Sequence, residues 1–324
     1  MYYRDLGKTG VRVSEVGMGC NRLGEAGQPD EHWIHLARRA ADLGVTLFDS
    51  SESYNWGRSE EMLGRAFGGR AGGAREDVLI ATKMSRVRET DGADKVRPKD
   101  FSAARMVDTV EGSLRRLQRE CIDVYQLHSP SREDMERYDW AEGMAALKRQ
   151  GKIRVGGVAV NNAADGVWLM QQGLAEGGGL VEVLQITYNL FETEAERELL
   201  DLARERGVGL MCRMPLARGI LTGKFHAGQD VAEGHRARLD GQHAERIAMA
   251  GRLRALGAAY EGGLTRLALH WSLTPPAVSA IIPGARTVEQ LEENVRASNG
   301  CVISPGLRGE IERIRAGWQV YRAL

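Results

Sequence analysis

The sequence predicts an α/β protein built as a (β/α)8 barrel, or TIM barrel, with an N-terminal β-hairpin and extra C-terminal helices. Eight short apolar runs recur along the chain, and each is followed by a turn and a longer amphipathic segment. This is the pattern of parallel strands covered by helices. An open, doubly wound sheet is disfavoured because the first strand–helix turn, GMGCNRLGE, lacks the GxGxxG fingerprint. No linker divides the chain, so we expect one domain over residues 1–324.

The elements follow in a regular order. A hairpin is predicted over residues 2–13, around a Gly-Lys-Thr-Gly turn. The predicted barrel strands are the apolar runs at 16–19, 45–49, 78–82, 122–128, 153–160, 181–187, 208–213 and 278–283. The predicted helices have one apolar face and span 31–43, 59–67, 102–118, 134–150, 163–175, 193–206, 245–259, 263–272, 287–297 and 305–318. Ser59 is expected to cap its helix, and 217–241 is predicted as a long functional or partly disordered loop.

The composition excludes several classes of partner. The chain carries 44 Lys and Arg against 44 Asp and Glu, so it has no excess positive charge with which to bind nucleic acid or an anionic membrane. No apolar run approaches the roughly 20 residues of a membrane span. The four cysteines are far apart and show no metal-ligand spacing. We therefore expect reduced thiols, no metal site and a cytoplasmic location. The sequence does not indicate an oligomeric state.

Three consecutive predicted strands end at titratable residues. Asp49 ends the second strand, and Tyr54 lies in the loop that follows it. Lys83 comes directly after the third strand, and His128 ends the fourth. Taken singly, each residue also fits a structural role, such as a turn cap, a surface charge or packing in a loop. Because the strand C-termini of a parallel barrel open on one face, the four side chains together predict a site there.

These four residue types suit the reduction of a carbonyl group. A free tyrosine titrates near pH ~10 and is a weak proton donor at neutrality. An adjacent ammonium, held by a carboxylate, favours the phenolate and lowers that pKa. An imidazole can hydrogen-bond the carbonyl oxygen and stabilise the charge that develops on it.

The sequence resembles the aldo-keto reductase family almost from end to end. The similarity lies in YRDLGKTGVRVSEVGMG, FDSSESYNWGRSEEMLG, ATK, YQLH, GKIRVGGV, LQITYNL, PLARGILTGKF and IIPGARTVEQLEEN. The resemblance implies a (β/α)8 barrel, an extended NADPH across its C-terminal face, with NADH as an alternative, and a small carbonyl substrate. It also implies four catalytic residues: Asp49, Tyr54, Lys83 and His128. Tyr54 would be the general acid, Lys83 its pKa tuner held by Asp49, and His128 the group that orients the carbonyl.

The resemblance further implies where the cofactor and substrate lie. The cofactor-binding positions are Gly19, Gln185, Arg213, Leu216, Gly219, Leu221, Lys224, Gly284, Arg286, Gln290, Glu293 and Asn294. Gln185 is expected to hold the nicotinamide carboxamide, and Leu216 to Lys224 are expected to lie over the pyrophosphate. Arg286 is the candidate partner of a 2′-phosphate, because a guanidinium matches phosphate in bidentate fashion. Trp56 and Met84 are expected to line the substrate pocket.

Two positions depart from the family pattern. The usual Ser-Asn pair that hydrogen-bonds the carboxamide is replaced by Ala159-Val160, and Asn161 is a weak substitute because strand alternation points it to the other face. Arg213 stands where many members carry an aromatic residue that stacks on the nicotinamide; here it either stacks or pairs with a carboxylate.

The sequence leaves three functions open. The leading one is an NADPH-dependent reductase of small aldehydes or ketones. The same site run in reverse would make an NAD(P)-dependent sugar or alcohol dehydrogenase. A nucleotide-sensing binding protein with little turnover is the third, although such a protein has no need of a tuned phenol.

Overall fold

The computed structural model describes residues 1–69, 75, 77–85, 99–226 and 243–316. Its strands are β1 (Tyr3–Asp5), β2 (Arg12–Ser14), β3 (Met18–Gly19), β4 (Leu47–Asp49), β5 (Leu79–Met84), β6 (Ile122–His128), β7 (Ile153–Ala159), β8 (Val183–Thr187), β9 (Gly209–Arg213) and β10 (Val278–Ile282). Strands β1 and β2 form the antiparallel hairpin, and β3 to β10 form a parallel sheet in sequence order. The predicted fold class is confirmed.

The parallel sheet closes on itself between its first and last strands. The amide of Gly17 donates to Ile281 O at 2.8 Å, and the amide of Gly19 donates to Pro283 O at 3.0 Å. A Cβ atom at Gly19 would lie 2.8 Å from the carbonyl oxygen of Ile282. Position 19 therefore needs glycine for the closure of the barrel itself, whatever it contributes to ligand binding.

The hairpin seals the N-terminal end of the barrel. Leu6, Val11 and Val13 of the hairpin are buried and pack against the inward-facing layer of the strands. That layer consists of Leu47, Ala81, Val124, Val155, Val183, Met211, Ala280 and Ile282. Because side chains alternate along a strand, the next inward positions toward the C-terminal ends are Asp49, Lys83, Gln126, Gln185 and Arg213. The barrel is thus apolar at one end and polar at the other.

Helices cover the outside of the barrel. They are α1 (Asp30–Asp42), α2 (Arg58–Phe67), α3 (Ala103–Leu117), α4 (Arg132–Arg137), α5 (Trp140–Arg149), α6 (Ala163–Gln171), α7 (Leu199–Arg206), α8 (His243–Ala259), α9 (Gly263–Leu273), α10 (Val288–Val295) and α11 (Pro305–Ala316). The last two follow β10, as predicted. The larger apolar cluster lies between these helices and the strands.

Several predicted boundaries are wrong. The helix predicted over 134–150 is two helices, because Tyr138 is extended and ends α4. The helix predicted over 193–206 begins as a 3-10 turn and breaks at Glu198 before α7. Ser59 does not cap α2, which begins at Arg58; its buried hydroxyl contacts Ser50 Oγ and donates to Cys20 O, both at 2.8 Å. Within the predicted loop 217–241, Ala217–Thr222 is a 3-10 helix, and residues 227–241 lie outside the described residues.

The hairpin seal makes a prediction about stability. Val13 is fully buried, and Val302 is 62% exposed. Val13→Ala should lower the free energy of unfolding by about 2 kcal/mol, because it removes buried methyl groups and leaves a cavity. Val302→Ala, the matched control, should change it by less than about 0.5 kcal/mol. Urea unfolding measures both, and equal effects would contradict a structural role for the hairpin.

Candidate active site

Three neighbouring strand ends carry the predicted catalytic residues. Asp49 ends β4, Lys83 lies near the end of β5, and His128 ends β6. These strands are adjacent in the sheet, so the three residues meet at the C-terminal mouth of the barrel. Tyr54 opens the short 3-10 helix Tyr54–Gly57, which connects β4 to α2. The juxtaposition predicted from the strand pattern is therefore present.

A buried ion pair lies at the centre of the site. Lys83 is fully buried, and its Nζ donates to Asp49 Oδ2 at 2.8 Å and to Ser50 O at 2.6 Å. The other oxygen of Asp49 accepts a hydrogen bond from Gln185 Nε2 at 2.7 Å. Both carboxylate oxygens are thus occupied, and the carboxylate cannot rotate without leaving buried polar groups unpaired.

Tyr54 is held over this ion pair by an unusual turn. Lys83 Nζ lies 5.0 Å from the centre of the Tyr54 ring, and the ring centre of His128 lies 6.0 Å from it in perpendicular orientation. Asn55 and Trp56, which follow Tyr54, both adopt positive φ angles of 48° and 57°. Asn55 Nδ2 donates to Leu23 O at 2.8 Å and fixes the turn. Such backbone strain clusters at functional sites, where the surroundings enforce it.

The charges around Tyr54 act on its pKa in opposite directions. Burial raises the pKa of Tyr54 most. The Lys83 ammonium lowers this pKa, the Asp49 carboxylate raises it, and the Arg213 guanidinium lowers it. Burial alone would lower the pKa of Lys83, yet Asp49 and Tyr54 raise it above its ordinary value. Lys83 therefore stays charged beside Tyr54, although burial raises the net pKa of Tyr54, contrary to the lowering expected from the sequence.

The imidazole of His128 is neutral. Burial, followed by the charges of Lys83 and Arg213, lowers the pKa of His128 to about 3. Ser51 Oγ lies 3.3 Å from Nδ1 and orients the ring. A neutral imidazole beside a phenol can hydrogen-bond a carbonyl oxygen without adding a further positive charge to the mouth.

Comparison with known proteins agrees with this geometry. The profile of the Aldo/keto reductase family matches residues 15–315. The chain belongs to the aldo-keto reductase family. It is 31% identical to the aldo-keto reductase YhdN of Bacillus subtilis over 90% of this chain and 87% of the relative. It is also 31% identical to the NADH-specific methylglyoxal reductase of Escherichia coli, over 91% of this chain and 92% of that one.

A solved structure shares the fold. The glycerol dehydrogenase of Gluconobacter oxydans superposes with a TM-score of 0.83 at 25% identity and covers 99% of this chain and 97% of its own. As an aldo-keto reductase, the chain is an oxidoreductase whose family uses NAD(P)H. In the described part of the chain, no helix is both long enough and apolar enough to cross a membrane. Among the same residues, no group of three or more His, Cys, Asp or Glu side chains could hold a metal ion.

The positions predicted to bind the adenosine end of the cofactor lie around the start of α10. Gln290 Oε1 accepts from the amide of Arg286 at 2.9 Å, and Asn294 Nδ2 donates to Gly284 O at 3.3 Å. Asn294 thus holds the loop from a buried position, and Gln290 holds it from the surface. Glu293 pairs with Arg266 at 3.2 Å. Gly284 is exposed, and a Cβ atom there would meet nothing closer than 3.4 Å.

Arg286 lies in an ion cluster that the sequence did not predict. Its Nη2 lies 3.3 Å from Glu25 Oε2, and Glu25 also binds Arg22 at 2.5 Å. Burial lowers the pKa of Lys224, and the nearby charges of Arg286 and Arg22 lower it further. Arg22 and Arg286 therefore share one carboxylate, and Lys224 lies within electrostatic range of both cations, which fits a phosphate-bearing ligand. Arg22 and Glu25 lie in the irregular loop after β3, where no periodicity marks a residue as facing the mouth.

The segment expected over the pyrophosphate is the 3-10 helix Ala217–Thr222. Arg218 and Gly219 within it have positive φ angles of 56° and 91°, so its backbone bends twice. Leu216 is half-buried, and Leu221 is fully buried in the outer core. The side chain of Leu221 therefore anchors this segment, and only its backbone is available to a ligand.

The residues around the predicted carboxamide position are already engaged. Gln185 donates to Asp49, and the amide of Val160 donates to Gln185 O at 3.0 Å. Asn161 Nδ2 donates to Pro130 O at 3.0 Å, so its amide is engaged with the loop that follows β6. Arg213 reaches from β9 to Val160 O, with an Nη2–O distance of 3.4 Å.

The two predicted pocket residues differ. Trp56 is 53% exposed on the turn beside Tyr54 and remains a candidate for contact with substrate. Met84 is fully buried in the apolar cluster outside the strands. The prediction for Met84 is wrong, because it directly follows the inward-facing Lys83 and alternation turns it toward the helices.

The neutral state of His128 predicts a pH dependence of stability. The pKa of His128 is about 3 in the folded protein and 6.5 ordinarily. Below pH 6.5 the unfolded chain binds a proton that the folded protein rejects, so the free energy of unfolding falls as pH falls. Between pH 6.5 and about 4, it should fall more steeply for wild type than for His128→Gln, by up to about 1 kcal/mol per pH unit. Urea titrations at each pH measure the slopes. His35→Gln, at an exposed position of α1, is the control for a His-to-Gln substitution and should keep the wild-type slope. Identical slopes for wild type and His128→Gln would contradict the prediction.

Proposed function

We propose that this protein is a cytoplasmic NADPH-dependent reductase that converts the carbonyl group of small aldehydes or ketones to an alcohol. The observation that supports this best is the fully buried Lys83 ammonium, held by Asp49 directly beneath the Tyr54 ring. A buried cation aimed at a phenol serves proton transfer, and it costs stability in a protein that only binds. All four cysteines are free, in keeping with a reducing compartment.

The residues present fit a nicotinamide dinucleotide. The cations Arg22, Lys224 and Arg286 are suited to its phosphates, and the exposed Gly284 leaves room beside them. Near Tyr54, the Nε of Arg213 is buried without a hydrogen-bond partner, so it can donate to an acceptor on the cofactor. When bound, the reduced cofactor supplies the hydride that carbonyl reduction requires.

The protein's own side chains supply the proton and the orientation. Tyr54 gives its phenolic proton to the carbonyl oxygen as negative charge develops there, so the substrate leaves as an alcohol and the tyrosine becomes a phenolate. Lys83 stabilises that phenolate, and Asp49 keeps the ammonium in place. The neutral His128 hydrogen-bonds the same carbonyl oxygen and fixes its distance from Tyr54. Proton transfer of this kind contributes about 10²- to 10⁴-fold in rate.

Two other readings share this site. In reverse, the phenolate would accept the proton of an alcohol, and a structural relative is a glycerol dehydrogenase. This dehydrogenase function uses the same residues and differs only in the direction of the reaction. A binding protein with little turnover would not require the buried ion pair beneath Tyr54, which is why we prefer an enzyme.

The enzyme proposal predicts the behaviour of Tyr54→Phe. Removing the hydroxyl should lower the turnover of aldehydes by at least about 100-fold, because the proton donor is lost. NADPH binding should change by less than about threefold, because the ring remains. Absorbance of the reduced cofactor measures turnover with a panel of aldehydes, and protein fluorescence measures binding.

Tyr3→Phe provides the matched control. Tyr3 lies in the hairpin at the opposite end of the barrel, where its hydroxyl donates to Gly44 O. This variant should retain wild-type turnover. Equal turnover in wild type and Tyr54→Phe would contradict the role of Tyr54 as proton donor. Binding without turnover in wild type would contradict the enzyme proposal and favour the binding protein.

The ion cluster predicts how the two cofactors are distinguished. Arg286→Met should weaken NADPH binding by about 3- to 10-fold, since an exposed guanidinium–phosphate contact is lost. NADH binding should change little. Glu25→Gln should act in the opposite direction, because it frees Arg286 and removes a carboxylate that repels the 2′-phosphate. Dissociation constants from fluorescence titration test both, and parallel changes for NADH and NADPH would contradict the role of Arg286.

A further inference from the structure

Arg213 occupies an unusual position at the mouth of the barrel. It ends β9 on the same face as Met211, which belongs to the apolar interior of the barrel. Alternation therefore directs Arg213 into the mouth. Its guanidinium contacts Val160 O at the end of β7, although β8 lies between the two strands. The side chain thus extends along the rim, past the end of the strand that carries Gln185.

The guanidinium of Arg213 is not paired with an acid in the described part of the chain. Its contacts there are Val160 O at 3.4 Å and the sulfur of Met214 at 3.7 Å, and its Nε is buried without a partner. The carboxylate pairing considered from the sequence is therefore absent from these residues. A guanidinium has five N–H donors, so this one retains unused hydrogen-bonding capacity in a partly desolvated place. That arrangement is costly unless a ligand completes it.

The groups at the ends of β7 and β8 show which atom of a nicotinamide carboxamide would lack a hydrogen-bond donor. A nicotinamide carboxamide has one oxygen that accepts and one NH2 that donates. Gln185 uses its NH2 on Asp49, so its oxygen is the atom it can offer to the carboxamide NH2. At the C-terminal end of β7, Ala159 has no polar side chain, and the backbone amide of Val160 already donates to Gln185 O. Asn161 is turned toward Pro130. The two positions where the family carries its Ser-Asn donors therefore present no side-chain donor to the carboxamide oxygen.

We infer that Arg213 donates a hydrogen bond to the carboxamide oxygen of the nicotinamide and so replaces the donors missing at Ala159 and Val160. This rests on the proposed function, because it requires a nicotinamide cofactor. Arg213 is then a positioning residue: together with Gln185 it holds both ends of the carboxamide and fixes the ring opposite Tyr54. Stacking on the ring, the role considered from the sequence, needs no donor and would leave the carboxamide oxygen unpaired.

The test compares ligands with and without the carboxamide. Arg213→Met keeps the length of the side chain but removes every donor. NADPH should bind this variant about 10- to 100-fold more weakly than wild type, as expected for a hydrogen bond from a charged group. ADP-ribose 2′-phosphate, which lacks the nicotinamide, should bind both proteins within about twofold, and it also reports that the variant is folded. Fluorescence or calorimetric titration gives the dissociation constants.

Two further arms make the test specific. The reduced 3-acetylpyridine analogue keeps the oxygen but lacks the NH2, so Arg213→Met should weaken its binding by the same factor as that of NADPH. Adding Ala159→Ser to Arg213→Met places a hydroxyl on the inward face and should restore part of the NADPH affinity. A loss shared equally by NADPH and ADP-ribose 2′-phosphate would show general charge attraction and overturn the inference. If wild type binds neither ligand, the proposed function itself fails, and this outcome is distinct from the others.

Discussion

The buried contact between Lys83 and Asp49 is the interaction on which the site depends. Removing an ammonium and a carboxylate from water costs several kcal/mol for each ion, and their attraction compensates only when the remaining hydrogen bonds are made. Here they are made: Lys83 binds Ser50 O as well, and Gln185 occupies the second oxygen of Asp49. Gln185 lies on β8, four strands away in the sheet. Only a closed barrel brings a strand that distant across the mouth to Asp49.

The interior beneath this ion pair is shaped to accept it. The inward layer below it is apolar and is sealed by the hairpin, so water does not reach the ion pair from that end. Small residues make room for the long polar side chains at the mouth. Gly157 is an example, since a Cβ atom there would lie 2.9 Å from Cγ of the buried Gln126. The same pattern of apolar and small inward residues therefore stabilises the fold and positions the polar mouth.

The sequence predicted the barrel and the meeting of Asp49, Lys83 and His128 at its mouth because both follow from strand periodicity. Side-chain alternation puts Asp49, Lys83 and His128 on the inward face of the barrel, as it does Ala81 and Val124. Such a regular period can be recognised in the sequence without the structure. The errors arose where a tertiary contact overrides the local pattern. Ser59 resembles a helix cap but is used to bind Ser50 across a packed interface.

Other features had no local signal at all. Glu25 and Arg286 are 261 positions apart and meet only because the barrel closes. The hydrogen bond from Gln185 to Asp49 likewise could not be predicted from the sequence, since it joins opposite sides of the mouth. Irregular loops after parallel strands carry function without periodicity. Their side chains can be placed only once the closed sheet is known.

The charges at the mouth explain why the histidine must be neutral. Lys83 and Arg213 both lower the pKa of Tyr54, and both also lower the pKa of His128. Together with burial, which lowers the pKa of His128 most, the two cations that favour a phenolate thus disfavour a third cation beside it. In the function we propose, His128 therefore serves as a neutral hydrogen-bonding group and Tyr54 supplies the proton. On that proposal, a single arrangement of charge gives the two roles to different residues, by the same electrostatic rule that separates the pKa values of paired groups in other active sites.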